Sequence, residues 1–243
     1  MSKLSYMVRG DWGGASLVAN SSTIREWLGG LPVFAVPDVR KAVTDRSVDL
    51  ETATFITPAQ SDRLIVSIGD FARVADGDKV LTRPLAVLHP RAGKDLEVLR
   101  NLVGSVQAAR VFVMVWHASD PVRQWLDGLG AVDLATGVPS PAVDRMLVEA
   151  ASMMVDEEYN GLSSGRGKNS VIQLLRTFSA AGYPLETSTW LPAFFAAGGS
   201  FDHAQEVAKL VSEMKAGTKH RVELAYRADI LDIIRDRVGS GRA

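Results

Sequence analysis

Val111-Phe-Val-Met-Val-Trp116 is a run of six apolar residues, three of them valine. A continuous apolar run of that length, rich in β-branched side chains, suits a strand covered on both faces, as in a parallel sheet sandwiched by helices. The flanking sequence agrees. Pro121 to Leu129 reads as a helix, with Ser119 or Asp120 as its cap and Pro121 in the favoured first position. Upstream, Leu96, Leu99, Leu102 and Val103 recur at helical spacing between Gly93 and Val106.

Further towards the N-terminus, Leu85-Ala-Val-Leu88 and Val33-Phe-Ala-Val36 are two more buried runs. Leu4–Val8, Thr54–Thr57 and Leu64–Ile68 are the remaining strand candidates. Ser21-Ser-Thr23 reads as the cap of a short helix that stops at Leu28 before Gly29-Gly30. Residues 37–52 read as loop or a helical turn, and Asp76-Gly-Asp78 as a turn. Short strands alternating with helices predict an α/β region over residues 1–138 with a mostly parallel sheet. An antiparallel pairing within 62–90 would make that sheet mixed.

Residues 135–141 contain Gly137, Pro139 and Pro141 and read as a linker. No strand candidate follows. Helical stripes recur instead: Val143 to Met154 after Ser140-Pro141, Val171 to Phe178, Thr187 to Ala197, Val207 to Met214 behind a Ser200 or Asp202 cap, and Ile230 to Ile234. Residues 139–243 are therefore predicted to form an all-α helical domain.

The chain has 243 residues and no cysteine, which removes disulfides, thiolate metal sites and cysteine nucleophiles together. A formal net charge of −1 gives no global field to draw it onto nucleic acid, so any cationic site has to be local. No window reaches the roughly 18 apolar residues of a membrane span, and the first residues lack the apolar run of a signal peptide. A cytoplasmic protein is expected.

Two basic, glycine-containing loops mark the helical half. One is Asn160-Gly-Leu-Ser-Ser-Gly-Arg-Gly-Lys168-Asn-Ser170; the other is Lys215-Ala-Gly-Thr-Lys219-His220-Arg221. The first is not a nucleotide-binding P-loop. The required first glycine falls on Leu162, Asn169 stands where Ser or Thr is needed, and no strand precedes it. Glycines before a helix still let backbone N–H groups approach an anion. Arg166 and Lys168 from one loop, with Lys215, Lys219, His220 and Arg221 from the other, are the candidate phosphate-gripping residues. The function expected is a binding or regulatory protein whose helical half engages a phosphate-bearing partner, nucleic acid in the first place.

A rival reading lies in the α/β half, where acids follow strand candidates. Asp11, Asp70 and Asp120 would be ligands for Mg2+ or Mn2+ if they met beyond the carboxyl ends of parallel strands, with His117 as acid or base. That arrangement would define a metal-dependent phosphoesterase or nucleotide-handling enzyme. His89 and His203 read as surface residues. A third reading is a structural or assembly module without a small-molecule site.

Overall fold

Six parallel strands and the helices on them account for most of the first unit. A computed structural model describes residues 3–11, 16–44, 47–57, 63–71, 83–91, 93–105 and 110–240. Contacts divide the chain into two units, 1–126 with 130–140, and 127–129 with 141–243. Among the described residues no helix is long and apolar enough to cross a membrane.

The first unit holds β1 (Leu4–Val8), β2 (Val33–Val36), β3 (Leu64–Ser67), β4 (Leu85–Leu88), β5 (Val111–Val115), β6 (Val132–Asp133) and β7 (Val138–Pro139). They form one sheet in the order β3-β2-β4-β5-β1-β6-β7. Every pairing is parallel except β6 with β7. The expected mostly parallel α/β architecture is thus present, and the described strands of the 62–90 segment, β3 and β4, pair in parallel. β5 sits between β4 and β1 with all five residues buried, as its unbroken apolar run demands.

Alternation along the strands sorts side chains to two faces. Met7, Phe34, Val36, Ala86, Leu88, Phe112 and Met114 form one core with Ile24 and Leu28 of α1 (Ser16–Leu28), Ala42 of α2 (Val39–Thr44), and Ala53 and Ile56 of α3 (Val48–Ile56). Two further helices, α4 (Gly93–Ser105) and α5 (Pro121–Gly128), follow β4 and β5. The chain leaves β1 towards β2 but leaves β5 in the opposite direction, towards β6. Adjacent parallel strands whose connections diverge leave a crevice at their carboxyl ends.

Three local expectations are corrected. Thr54–Thr57 is not a strand; residues 54–56 are the last turn of α3. Ser47 caps that helix by accepting from Leu50 N at 3.1 Å, and Thr52, Ala53 and Ile56 are buried at helical spacing. Helix α1 starts at Ser16, five residues before the expected cap. Ser21 and Thr23 bond back to the carbonyls of Val18 and Ala19, so these hydroxyls sit inside the helix. The expected linker 135–141 holds the turn and second strand of the β6–β7 hairpin, with Gly137 at φ 71 and its N–H on Asp133 O. The Asp76–Asp78 turn lies outside the described residues.

The second unit is helical: α6 (Arg145–Val155), α7 (Gly165–Ala180), α8 (Thr187–Ala196), α9 (Phe201–Lys215) and α10 (Ile230–Gly239). Helix α8 packs on both α6 and α9, and α7 and α10 on α6. Phe178, Trp190, Phe194 and Phe201 are its largest fully buried side chains. Phe178 and Trp190 meet edge to face at 5.5 Å, and Trp190 Nε1 donates to Pro184 O at 3.0 Å. The buried indole therefore has its polar atom satisfied.

Candidate functional site

The glycine-rich loop is a tightly braced turn. Gly161 and Gly165 take positive φ, 74 and 57, which costs glycine little. The helical Gly167 lies so close to the carbonyl of Gly161 that a Cβ there would overlap its oxygen. Leu162 is fully buried beneath the turn. Three carboxylates hold the assembly. Glu157 accepts from Arg166 Nε at 2.9 Å and Asn160 Nδ2 at 2.8 Å. Glu206 accepts from Leu162 N at 2.9 Å. Glu158 accepts from the backbone and hydroxyl of Ser200, the α9 cap, at 2.9 and 3.0 Å. Burial alone would raise Glu157, but the hydrogen bonds from Arg166 and Asn160 and the charge of Arg166 outweigh it and hold the carboxyl below its ordinary value.

The second basic stretch reaches this loop because an extended segment is clamped along α7. Gln173 Oε1 accepts from the N–H groups of Ala225 and Tyr226, each at 2.9 Å, and its Nε2 donates to Tyr226 O at 2.8 Å. The Tyr226 hydroxyl bonds Ser170 Oγ and reaches Met153 O at 3.3 Å, and burial raises its pKa. Arg176 donates to the carbonyl of His220.

Arg166, Lys168 and Arg221 thereby line one open cleft of about 670 Å³, together with Ser163, Ser164 and Gly165 at the start of α7. Ser164 makes no side-chain cap hydrogen bond, so its hydroxyl satisfies none of the first-turn amides at the positive end of this 16-residue helix. Glu223 and the exposed Leu224 belong to the opposite wall. Arg166 is 67% exposed despite its bond to Glu157.

The other three predicted residues do not line this cleft. Lys215 is ion-paired with Glu186 at 2.6 Å and borders a different hollow, with Leu185 and Val211. Lys219 is exposed outside the wall. His220 Nε2 is buried 3.4 Å from a Glu213 oxygen without a hydrogen bond.

Two acids of the rival reading lie apart. Asp70 is exposed in the 3-10 turn after β3, at the sheet edge, and Asp120 follows β5. Those strands are three places apart, on the order of 14 Å at ordinary strand spacing. Asp120 Oδ2 accepts from His117 N at 2.9 Å, a local turn contact. The Asp11 side chain lies outside the described residues. Among those described, no group of three His, Cys, Asp or Glu is arranged to hold a metal ion.

A different constellation occupies the carboxyl ends of β1, β4 and β5. His89, directly after β4, is 2% exposed and not a surface residue. It is the one non-glycine residue with positive φ among those described, 48, a conformation that His tolerates better than most side chains but that still carries strain. Its Nδ1 lies 2.5 Å from Asp49 Oδ1, while its Nε2 is buried with no partner. Trp116, directly after β5, meets the His89 ring edge to face at 4.8 Å. Arg9, directly after β1, and Arg91 lie 5.1 and 4.3 Å from the Trp116 ring centre. Burial pushes the His89 pKa down; Asp49 opposes this, and Arg9 and Arg91 reinforce it.

Acids at the strand ends do not mark this cluster in the sequence. The available signal was a histidine and an arginine placed immediately after buried apolar runs. No family model, no curated protein and no solved structure matches the chain.

Two outcomes follow from this geometry. Gly167→Ala has to force the loop open, so it is expected to cost about 1–3 kcal/mol, read as a lower melting temperature. An unchanged melting temperature would contradict the close approach. His89 binds its proton more weakly folded than unfolded, so the unfolded chain takes up more protons. Its contribution to stability is therefore present above an ordinary histidine pKa of about 6.5 and is lost as pH falls below it. Urea titrations across that window are expected to show this slope in the parent protein and a flatter one in His89→Asn. Equal slopes would contradict a lowered His89 pKa.

Proposed function

We propose that this is a binding protein whose helical unit grips a phosphate-bearing partner, nucleic acid in the first place, through the cleft at the start of α7. One observation carries the reading. Arg166 and Lys168 come from the first turn of α7 and Arg221 from an extended segment distant in sequence, yet all three line a single concavity. Lys168 and Arg221 form no ion pair with a described residue, which leaves their charge available to a ligand. Backbone N–H groups at a helix N-terminus and cationic side chains together make a chemically apt phosphate cradle.

Two exposed apolar side chains favour an extended partner over a single small anion. Tyr159 is 86% exposed and close enough to Arg166 to act on its charge. Leu224, also 86% exposed, belongs to the cleft wall. An exposed aromatic beside cations is a stacking platform for unpaired bases, a sequence-tolerant mode of contact. The reading is thus of backbone grip with little base selection.

Fluorescence anisotropy with labelled single-stranded and duplex oligonucleotides over a salt series tests this. Binding is expected to weaken as salt rises, through counterion release. The Lys168→Ala, Arg221→Ala double variant should lose about tenfold or more in affinity, and its log–log salt slope should fall by about two. An affinity that is the same in parent and double variant, or no binding of either oligonucleotide, rejects the reading.

A further inference from the structure

The cluster at the carboxyl ends of β1, β4 and β5 has a chemistry of its own, unconnected with the cleft reading. Its three strands are neighbours in the order β4-β5-β1, so Arg9, His89 and Trp116 are adjacent through the sheet itself. The diverging connections after β1 and β5 make this the crevice of the fold.

Asp49 fixes the state of the histidine. It sits in the first turn of α3, where the helix dipole favours a carboxylate. Its oxygen lies against Nδ1, which places the imidazole proton there and leaves the lone pair on Nε2. The two ring nitrogens point in nearly opposite directions, so Nε2 faces away from Asp49. An acceptor that is buried and unpaired is costly to maintain and calls for an explanation.

Two arginines lie against the Trp116 ring that packs on His89. Arg91 is exposed over the Trp116 face and forms no ion pair with a described residue. Arg9 bonds Thr52 Oγ1 at 3.3 Å and has Glu51 only at 4.0 Å. Both arginines act on the charge of His89. Arg91 and Trp116 also belong to the wall of a pocket of about 250 Å³, with His117 and Asp120, which opens beside the buried His89.

An anion is attracted by the arginines, but one without a hydrogen would set its oxygen lone pairs against that of Nε2. An oxyanion that keeps a proton satisfies both. We infer that the carboxyl ends of β1, β4 and β5 form a second ligand site for a hydrogen phosphate group, with Arg9 and Arg91 meeting its charge and His89 Nε2 accepting its proton in a hydrogen bond. A protonated oxyanion is selected over an unprotonated one of the same shape. Inorganic phosphate keeps a proton at neutral pH, and sulfate keeps none.

Isothermal titration calorimetry with these two anions tests the site, at neutral pH and matched ionic strength. The full chain carries Lys168→Ala and Arg221→Ala, so that the cleft is disabled. Phosphate is expected to bind about tenfold or more tighter than sulfate, as one hydrogen bond to a charged group allows. Adding Arg91→Ala, an exposed change that leaves the core untouched, should weaken phosphate by about tenfold. Adding His89→Asn instead, whose side chain tolerates positive φ, should erase the preference for phosphate. Equal affinity for the two anions, phosphate binding unmoved by Arg91→Ala, or no phosphate binding overturns the proposal. The oligonucleotide result does not bear on this one, because Lys168 and Arg221 are replaced here and the Arg91 and His89 arms report on the strand ends alone.

Discussion

The cleft of the helical unit depends on one side-chain amide. An extended segment outside regular structure has to find partners for its backbone polar groups. Gln173 supplies them, accepting two N–H groups and donating to one carbonyl across Ala225 and Tyr226. The hydroxyls of Tyr226 and Ser170 pair beside it, and Arg176 takes the carbonyl of His220. Residues 220–226 are thereby laid along α7, and Arg221 arrives at the cleft that also holds Lys168. Without that clamp the two cationic stretches would be separate surface loops.

Acidic residues complete the arrangement by working underneath it. Glu157, Glu158 and Glu206 are engaged with Arg166, Asn160, Ser200 and the amide of Leu162. They hold the glycine-rich turn in shape, whereas Lys168 and Arg221 keep their charge for the cleft. A nearly neutral chain can present a local cationic surface in this way, since the balancing carboxylates are directed into the scaffold. The α/β unit repeats the division of labour on a smaller scale: Asp49 orients His89, and Arg91 lies exposed beyond Trp116.

The strands were legible wherever burial on both faces removed ambiguity. Val33–Val36, Leu85–Leu88 and Val111–Val115 are uninterrupted apolar runs, and each is a strand. Thr54–Thr57 misled because a short run of β-branched and aromatic residues carries no period of its own, and the Ser47 cap before it decides for helix. In the candidate site, composition identified the basic loops, but only the fold sorts Arg166, Lys168 and Arg221 from Lys215, whose partner Glu186 is remote in sequence. The His89 cluster was legible only in part for the same reason. Arg9 and Trp116 are brought to it by strand order and Asp49 by the placement of α3, which no local pattern encodes.

Amide hydrogen exchange at Ala225 and Tyr226 tests the clamp most directly. The account predicts slow exchange at both amides in the parent chain and fast exchange in Gln173→Ala, with the protection of α7 retained. Fast exchange at these two positions in the parent chain, or protection that survives loss of the Gln173 amide, would contradict it.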